Sequence, residues 1–323
     1  MPTSIASFAK INLGLKIGPA RADGFHELRT IYQTIALHDV IRVDVQRGTG
    51  IEIRCKDPRV PADESNTCYR VAERVIRDLR GRGKVIIWIE KQLPVQGGLG
   101  AASSNAVATM LAVERELGAS LSADEQLRIA AEVGSDLPLF LIGGTVLGID
   151  RGQEVYAMQD LPAMHLVVVT PTVGVSTPQA FTNWDALVAR ESALTHAGAA
   201  GTIKQFGSVV YTWLSKGFLS TGVPATGGDR AETQLLDLVR AGIENDFERV
   251  VFPVHPELRE VKRLLERNNS SYASLSGSGA TLYGLYTKPE QAEKAATELR
   301  KAGISAEATV TLGRGLYLEQ RFV

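Results

Sequence analysis

The sequence predicts an α/β protein built as two strand–helix halves, and three observations carry that prediction. The opening stretch, Ser4 to Ile17, alternates with a period of two. A glycine-rich stretch from Leu93 to Ala106 then runs into helical periodicity, and a second succession of strands and helices begins near His165. At 323 residues, 44% hydrophobic and 22% charged, the chain has an ordinary globular composition and is long enough for two domains. These are placed at 1–157 and 158–323, with the change of half between Val155 and Pro162.

In the first strand Ile5, Ala9, Ile11, Leu13, Leu15 and Ile17 share one face, and Phe8, Lys10 and Asn12 share the other. Lys10 and Asn12 therefore project together from a half-buried strand. A lysine in that setting is usually a snorkelling surface residue; the sharper reading of Lys10 is a cation set beside a reacting phosphate or hydroxyl. Arg21 to Glu27 follows, with Asp23-Gly24 as a turn signal and Phe25 and His26 just beyond it. Those two rings are either local packing or a pair that stacks on and hydrogen-bonds a planar ligand. Strand patterns occupy Thr30 to Leu37, Val40 to Gln46 and Ile51 to Arg54. A helix is expected from Thr67 to Arg80, stopped by Gly81, and a strand from Val85 to Glu90.

The stretch Leu93-Pro94-Val95-Gln96-Gly97-Gly98-Leu99-Gly100-Ala101-Ala102-Ser103-Ser104-Asn105-Ala106 organises the rest. Its small residues allow close backbone approach to a ligand. Past it, Ala106, Val107, Met110, Leu111 and Leu117 recur on one helical face. A bare loop entering a helix N-terminus offers unpaired N–H groups and the positive end of the helix dipole, which together suit phosphate. A glycine turn with Ser104 as an ordinary N-cap is the alternative. The loop lacks the Lys and Ser/Thr of a Walker sequence. It also has Ser103 where a dinucleotide fingerprint needs Gly or Ala, after too long a connection from the preceding strand.

Ser122 caps a helix to Val133, ended by Gly134. In Gly134-Ser135-Asp136-Leu137-Pro138-Leu139-Phe140, Asp136 is placed to N-cap a short helical turn and also to accept a substrate proton; the two roles are compatible. Gly143 to Gly148 turns into a strand. In the second half Leu166 to Thr170 is a strand, Pro171 to Pro178 a loop, and Trp184 to Arg230 helices joined by loops such as Thr195 to Gly201 and Ser220 to Gly228. Pro256 to Arg267 is a helix and Tyr272 to Leu275 a strand. A second small-residue loop, Ser276-Gly277-Ser278-Gly279-Ala280-Thr281, precedes a strand to Tyr286. A helix from Pro289 to Ala302 and a strand from Ala306 to Leu312 complete the pattern.

Composition excludes several classes. A net charge of −1 makes no electrostatic case for nucleic acid or an anionic membrane. Cys55 and Cys68 form no disulfide framework, and five scattered histidines show no zinc-protease spacing. With no basic-then-apolar leader and no apolar run of about 18 residues, a cytoplasmic protein is expected.

Taken together, Ala9 to Leu13 with Arg21 to His26, Pro94 to Ala106, Gly134 to Phe140 and Leu275 to Thr281 resemble the GHMP kinase superfamily of small-molecule kinases. The likeness runs over nearly the whole chain apart from Trp184 to Arg230. It implies a two-domain fold with the active site in the cleft between domains, and ATP and Mg²⁺ as cofactors. Ala22-Asp23-Gly24-Phe25-His26 and Gly134-Ser135-Asp136-Leu137-Pro138 are most similar to members that phosphorylate the 2-hydroxyl of 4-diphosphocytidyl-2-C-methyl-D-erythritol. By that resemblance Asp136 is the catalytic base, Lys10 its cationic partner, and Asn12 a substrate ligand. Phe25 and His26, with Thr177 and Phe181, take the cytosine; Phe25 stands where Tyr is common. Pro94, Gly97, Gly98, Leu99, Gly100, Ala101, Ala102, Ser103 and Ser104 hold the ATP phosphates, with a serine hydroxyl near Mg²⁺. The expected partners are the cytidylyl substrate and ATP, for a monomer or weak homodimer.

Two departures stand out. Ala101 and Ala102 replace glycines of the usual loop, tolerable if those positions are helical and harmful if they need positive φ. Gly148-Ile149-Asp150-Arg151-Gly152 replaces a glycine-richer turn. A kinase of the same superfamily acting on homoserine, mevalonate or a sugar is the nearer alternative, and a non-catalytic nucleotide sensor the farther one.

Overall fold

A computed structural model describes residues 2–95, 97–195 and 243–323; of the loop expected at Thr195 to Gly201 only Thr195 is described, as the last residue of a helix, and the loop expected at 220–228 lies outside the described residues. The first sheet is organised on one hairpin. Strand β1 (Thr3–Ala20) pairs antiparallel with β2 (His26–Gln46), setting Lys10 opposite Thr34 and Asn12 opposite Tyr32. The two runs expected at 30–37 and 40–46 are therefore one continuous strand. Along its other edge β2 pairs antiparallel with β4 (Lys84–Glu90) and, nearer its start, with β5 (Thr145–Ile149). Strand β3 (Ile51–Cys55) runs parallel to β4, and β6 (Glu154–Ala157) closes the far edge beside β5.

The β1 alternation holds only from Ala9 to Leu13: irregularities at Phe8/Ala9 and Asn12/Gly14 interrupt it, so Ile5 joins the first core and Leu15 lines the same cavity as Lys10 and Asn12. Nor is the strand half-buried, since residues 5–18 are buried on both faces. Ala9, Ile11 and Leu13 pack with Leu166, Val168, Tyr283 and Leu285 of the second sheet. Lys10 and Asn12, on the opposite face, are also inaccessible. A second layer covers that side, because α1 (Thr67–Asp78), α2 (Ala101–Leu117) and α3 (Ala123–Val133) pack their apolar stripes into one core with the first sheet. Helix α1 stops two residues early, at Asp78; Arg80 takes the left-handed position (φ 51°), and the Gly81 N–H closes back on the Ile76 carbonyl. The Ser122–Glu125 capping box opens α3 as its sequence predicts. After α4 (Leu137–Ile142) the chain enters β5.

The second sheet, in the order β10-β7-β9-β8, is antiparallel: β7 (His165–Val169), β8 (Tyr272–Leu275), β9 (Leu282–Tyr286) and β10 (Ala306–Val310). Helices α5 (Thr177–Thr195), α6 (Glu248–Val254), α7 (Pro256–Arg267) and α8 (Pro289–Lys301) contribute Trp184, Val251, Phe252, Leu258 and Leu299 to its core. Helix α6 has no sequence signal, being one run of apolar residues broken by Pro253. The terminal α9 (Arg314–Glu319) returns to the first half, where Tyr317 packs against Phe8 and donates to the Phe140 carbonyl.

Ala101 and Ala102 are settled by the backbone. Gly100 is the left-handed cap of α2 (φ 69°), and both alanines lie inside the helix. Their methyl groups suit the conformation. Ala102→Gly is expected to lower stability by about 0.5–1 kcal/mol, read as a shifted urea midpoint with unchanged slope.

Candidate active site

Lys10 is 3% exposed, so the snorkelling reading fails: its ammonium itself is buried. It donates to Asn12 Oδ1 at 2.7 Å and lies 3.4 Å from Asp136 Oδ2, with the Tyr32 ring centroid 5.3 Å away. Asn12 is oriented in turn, since its Nδ2 donates to Thr30 Oγ1 (2.7 Å), which donates to the Gly14 carbonyl (2.7 Å). Asp136 is the N-cap residue of α4, yet its side chain makes no capping bond. One oxygen faces Lys10 and the other accepts from the Tyr32 hydroxyl at 3.2 Å. Burial and the neighbouring Asp136 charge push the Tyr32 pKa well above the usual phenol value, so Tyr32 stays a proton donor in this bond. Tyr32 escaped sequence reasoning because its place opposite Asn12 depends on strand register.

The glycine loop is built against both halves of the chain. The Lys10 N–H donates to the Leu99 carbonyl at 2.9 Å, while the Leu99 side chain is core. A Cβ at Gly100 would lie 3.1 Å from Lys10 Cγ. Gly98 (φ 82°) sits against the second small-residue loop, where a Cβ would overlap the Ser276 carbonyl oxygen; Ser276 Oγ donates to the Gly98 carbonyl at 3.0 Å. Thr281 N–H reaches the Gly97 carbonyl, and Pro94 packs beneath Gly97. Asp39, fully buried, fastens the approach: its carboxylate accepts from Lys91 Nζ (2.5 Å), the Gln92 and Leu93 N–H groups (2.7 and 2.8 Å) and Asn105 Nδ2 (2.9 Å).

Two cavities meet on this loop. A cavity of about 640 Å³ is lined by Lys10, Asn12, Tyr32 and Asp136 at one end and by Phe25, His26, Thr177 and Phe181 at the other. A second, of about 380 Å³, is lined by Lys91, Pro94, Gly97, Ala101, Ala102 and Ser103. Gly98 and Gly100 border both. Ala101, Ala102 and Ser103, the first three residues of α2, line the second cavity, and their N–H groups have no intrahelical partner. Ser104 is no N-cap: it is buried, and its hydroxyl lies 2.8 Å from that of Ser7.

At the far end of the larger cavity His26 is buried, with Nε2 donating to Asp185 Oδ1 at 2.7 Å. Its ring lies parallel to Phe181, with centroids 4.8 Å apart, and Phe181 meets Phe247 edge-on at 5.0 Å. Phe25 is exposed, with the Arg151 guanidinium 4.9 Å from its ring centroid. Thr177 turns towards the second small-residue loop, its hydroxyl 2.7 Å from Ser278 Oγ. Arg151 comes from the unusual turn after β5. There Asp150 adopts φ 61° without being glycine, and its carboxylate is held by Arg21 and Gln153. Arg151 lies in the Gly148–Gly152 stretch that the sequence marks as a departure, with no role given to it, whereas Asp185 carried no sequence signal because it lies in no motif.

Residues 66–144 match the family GHMP kinases N terminal domain, and residues 231–305 match GHMP kinases C terminal. The chain is 36% identical over 282 residues to a 4-diphosphocytidyl-2-C-methyl-D-erythritol kinase of Solibacter usitatus, covering 87% of this chain and 80% of that protein. It is 32% identical to the protein of that name from Acaryochloris marina, covering 91% and 90%. Among solved structures, a crystal structure of 4-(cytidine 5'-diphospho)-2C-methyl-D-erythritol kinase superposes with a TM-score of 0.72 at 27% identity, over 96% of this chain and 99% of that one.

Gly98→Ala tests the loop crossing. Strain at positive φ and the contact with the Ser276 carbonyl are expected to cost about 1–3 kcal/mol of stability in urea denaturation. Wild-type stability in that variant would refute the close approach.

Proposed function

The chain belongs to the GHMP kinase family, and from that premise we propose that it transfers the γ-phosphoryl group of ATP to the 2-hydroxyl of 4-diphosphocytidyl-2-C-methyl-D-erythritol. The observation that carries this reading is the meeting of two cavities at Gly98 and Gly100, with the Lys10–Asp136 pair on the acceptor side of the junction. Phosphoryl transfer needs donor and acceptor in line and charge neutralised, with little other chemistry for the protein to perform.

In this reading the smaller cavity takes ATP. Backbone N–H groups at the start of α2 bind its phosphates, aided by the helix dipole. The donor set suits a magnesium ion delivered on the triphosphate: Ser103, on the cavity wall, offers a hard hydroxyl oxygen. When bound, that ion would neutralise phosphate charge. Asp136 accepts the proton of the acceptor hydroxyl as the new O–P bond forms. Lys10, held at 3.4 Å from that carboxylate, stabilises the developing alkoxide. Asn12 and Tyr32 orient the pair.

The other end of the larger cavity takes the cytidylyl group. Phe25, His26, Thr177 and Phe181 supply aromatic surface and hydrogen-bonding groups there. The acceptors homoserine, mevalonate and galactose carry no base to occupy it. The division into domains 1–157 and 158–323 belongs to the same proposal. It is supported by a first sheet that ends at Ala157 and a second that begins at His165. No helix among the described residues is long and apolar enough to cross a membrane. We assign the reaction to the cytoplasm, where ATP is supplied.

The test is ADP release with ATP and Mg²⁺ against the cytidylyl substrate, homoserine, mevalonate and galactose in parallel. Turnover with the first alone is expected; turnover with another acceptor would overturn the base pocket, and turnover with none would overturn the kinase. Asp136→Asn is expected to lower kcat on the order of 10²–10⁴-fold. Full turnover by that variant would remove the base assignment.

A further inference from the structure

We propose that Asn245 is a positioning residue of this transfer site, holding the Ser276–Gly279 loop from beneath so that Gly277 is fixed against Lys10 and Asn12. The inference rests on the phosphoryl-transfer reading. Asn245 belongs to none of the sequence motifs and is 2% exposed. Both of its amide hydrogens go to the end of β8 and the loop that follows: Nδ2 donates to the Leu275 carbonyl at 2.9 Å and to the Gly277 carbonyl at 2.8 Å. Its Oδ1 accepts from the Phe247 N–H at 3.0 Å. Replacing this amide with an apolar group would remove a hydrogen-bond partner from two carbonyls at the base of the loop.

The residue is itself fixed to the strand that carries the site. The Leu15 N–H donates to the Glu244 carbonyl (2.8 Å), and the Asp246 N–H to the Leu15 carbonyl (2.9 Å). The Asp246 carboxylate accepts from Lys16 Nζ (2.9 Å) and the Ile17 N–H (3.0 Å). Burial pushes the Asp246 carboxyl up from its ordinary pKa, and the Lys16 ammonium opposes that shift. Asn245 thus bridges to Leu15, three residues along β1 from Asn12, on a clasp anchored to that strand.

Gly277 is the point that needs holding. It has φ 61°, and a Cβ there would lie 3.4 Å from Asn12 Oδ1 and 3.7 Å from Lys10 Nζ. On either side of it the loop is tied by Ser276 to Gly98 and by Ser278 to Thr177. Asn245 supplies the hold on Gly277 itself. A loop displaced by about an ångström from a reacting centre costs on the order of 10²-fold in rate without loss of binding groups.

The test compares wild type, Asn245→Ala, the milder Asn245→Ser and a core control, Leu258→Ala, in steady-state kinetics, thermal melting and amide exchange of residues 276–279. Leu258 is fully buried on α7, in the second core. For the Asn245 variants kcat is expected to fall by about 10- to 100-fold, with KM for the cytidylyl substrate within about twofold of wild type. That split follows because the stacked rings of His26 and Phe181 at the base end make no bond to the Asn245 side chain, whose loss there frees only the Phe247 N–H. Exchange in the loop should accelerate. Leu258→Ala should lose thermal stability and keep kcat well below its melting temperature. A folded Asn245 variant with wild-type kcat, or an equal kcat loss in Leu258→Ala, would overturn the proposal. If wild-type protein fails to turn over the substrate, the kinase reading fails; loop exchange alone then decides whether Asn245 holds Gly277.

Discussion

The ammonium of Lys10 is the constraint around which this molecule is arranged. A charge taken so completely from water is costly unless its partners are close and correctly oriented. Here they come from separate segments: Asn12 on the same strand, Asp136 ahead of α4 and the ring of Tyr32 on β2. Each partner is positioned by something else. Thr30 turns Asn12, the Tyr32 hydroxyl holds one Asp136 oxygen, and Gly100 leaves space where a side chain would press on the Lys10 stem. The same ammonium that is hard to bury is, for that reason, already aimed before any substrate enters.

Two further buried carboxylates act in the same manner at the flanks. Asp39 joins the end of β4 and α2 through Lys91, two backbone N–H groups and Asn105, and so sets the entry to the glycine loop. Asp246 joins the segment after residue 242 to β1 through Lys16 and the Ile17 N–H. Neither lines the larger cavity, and both sit where the chain must come back to the same place in every molecule. Small residues do the complementary task. At the loop crossing Gly98 and Gly279 bring two backbones into contact, which any side chain would prevent.

The turn Gly148 to Gly152 shows how a departure from the usual family pattern is accommodated. Asp150 takes a left-handed conformation that glycine would adopt more readily, and its carboxylate is held by Arg21 and Gln153. The turn thereby joins the Arg21–Gly24 loop and delivers Arg151 over Phe25. Ala101 and Ala102 need no such compensation, since the positive-φ positions of the glycine loop are Gly98 and Gly100 and the helix has already begun.

Local patterns in the sequence determined most elements of the fold. Helix α7 and strand β8 have the predicted limits, and the capping box at Ser122 marks the start of α3, because periodicity and capping depend on residues a few positions apart. Family motifs likewise picked out Lys10, Asp136 and the glycine loop. Tertiary structure alone decided that β1 is buried on both faces, that Tyr32 meets Asp136, that Thr177 turns to Ser278, and that Asn245 reaches Gly277. Each depends on strand register or on contact between segments tens to hundreds of residues apart. Such contacts arise from the packing of layers, a property that no local spacing encodes.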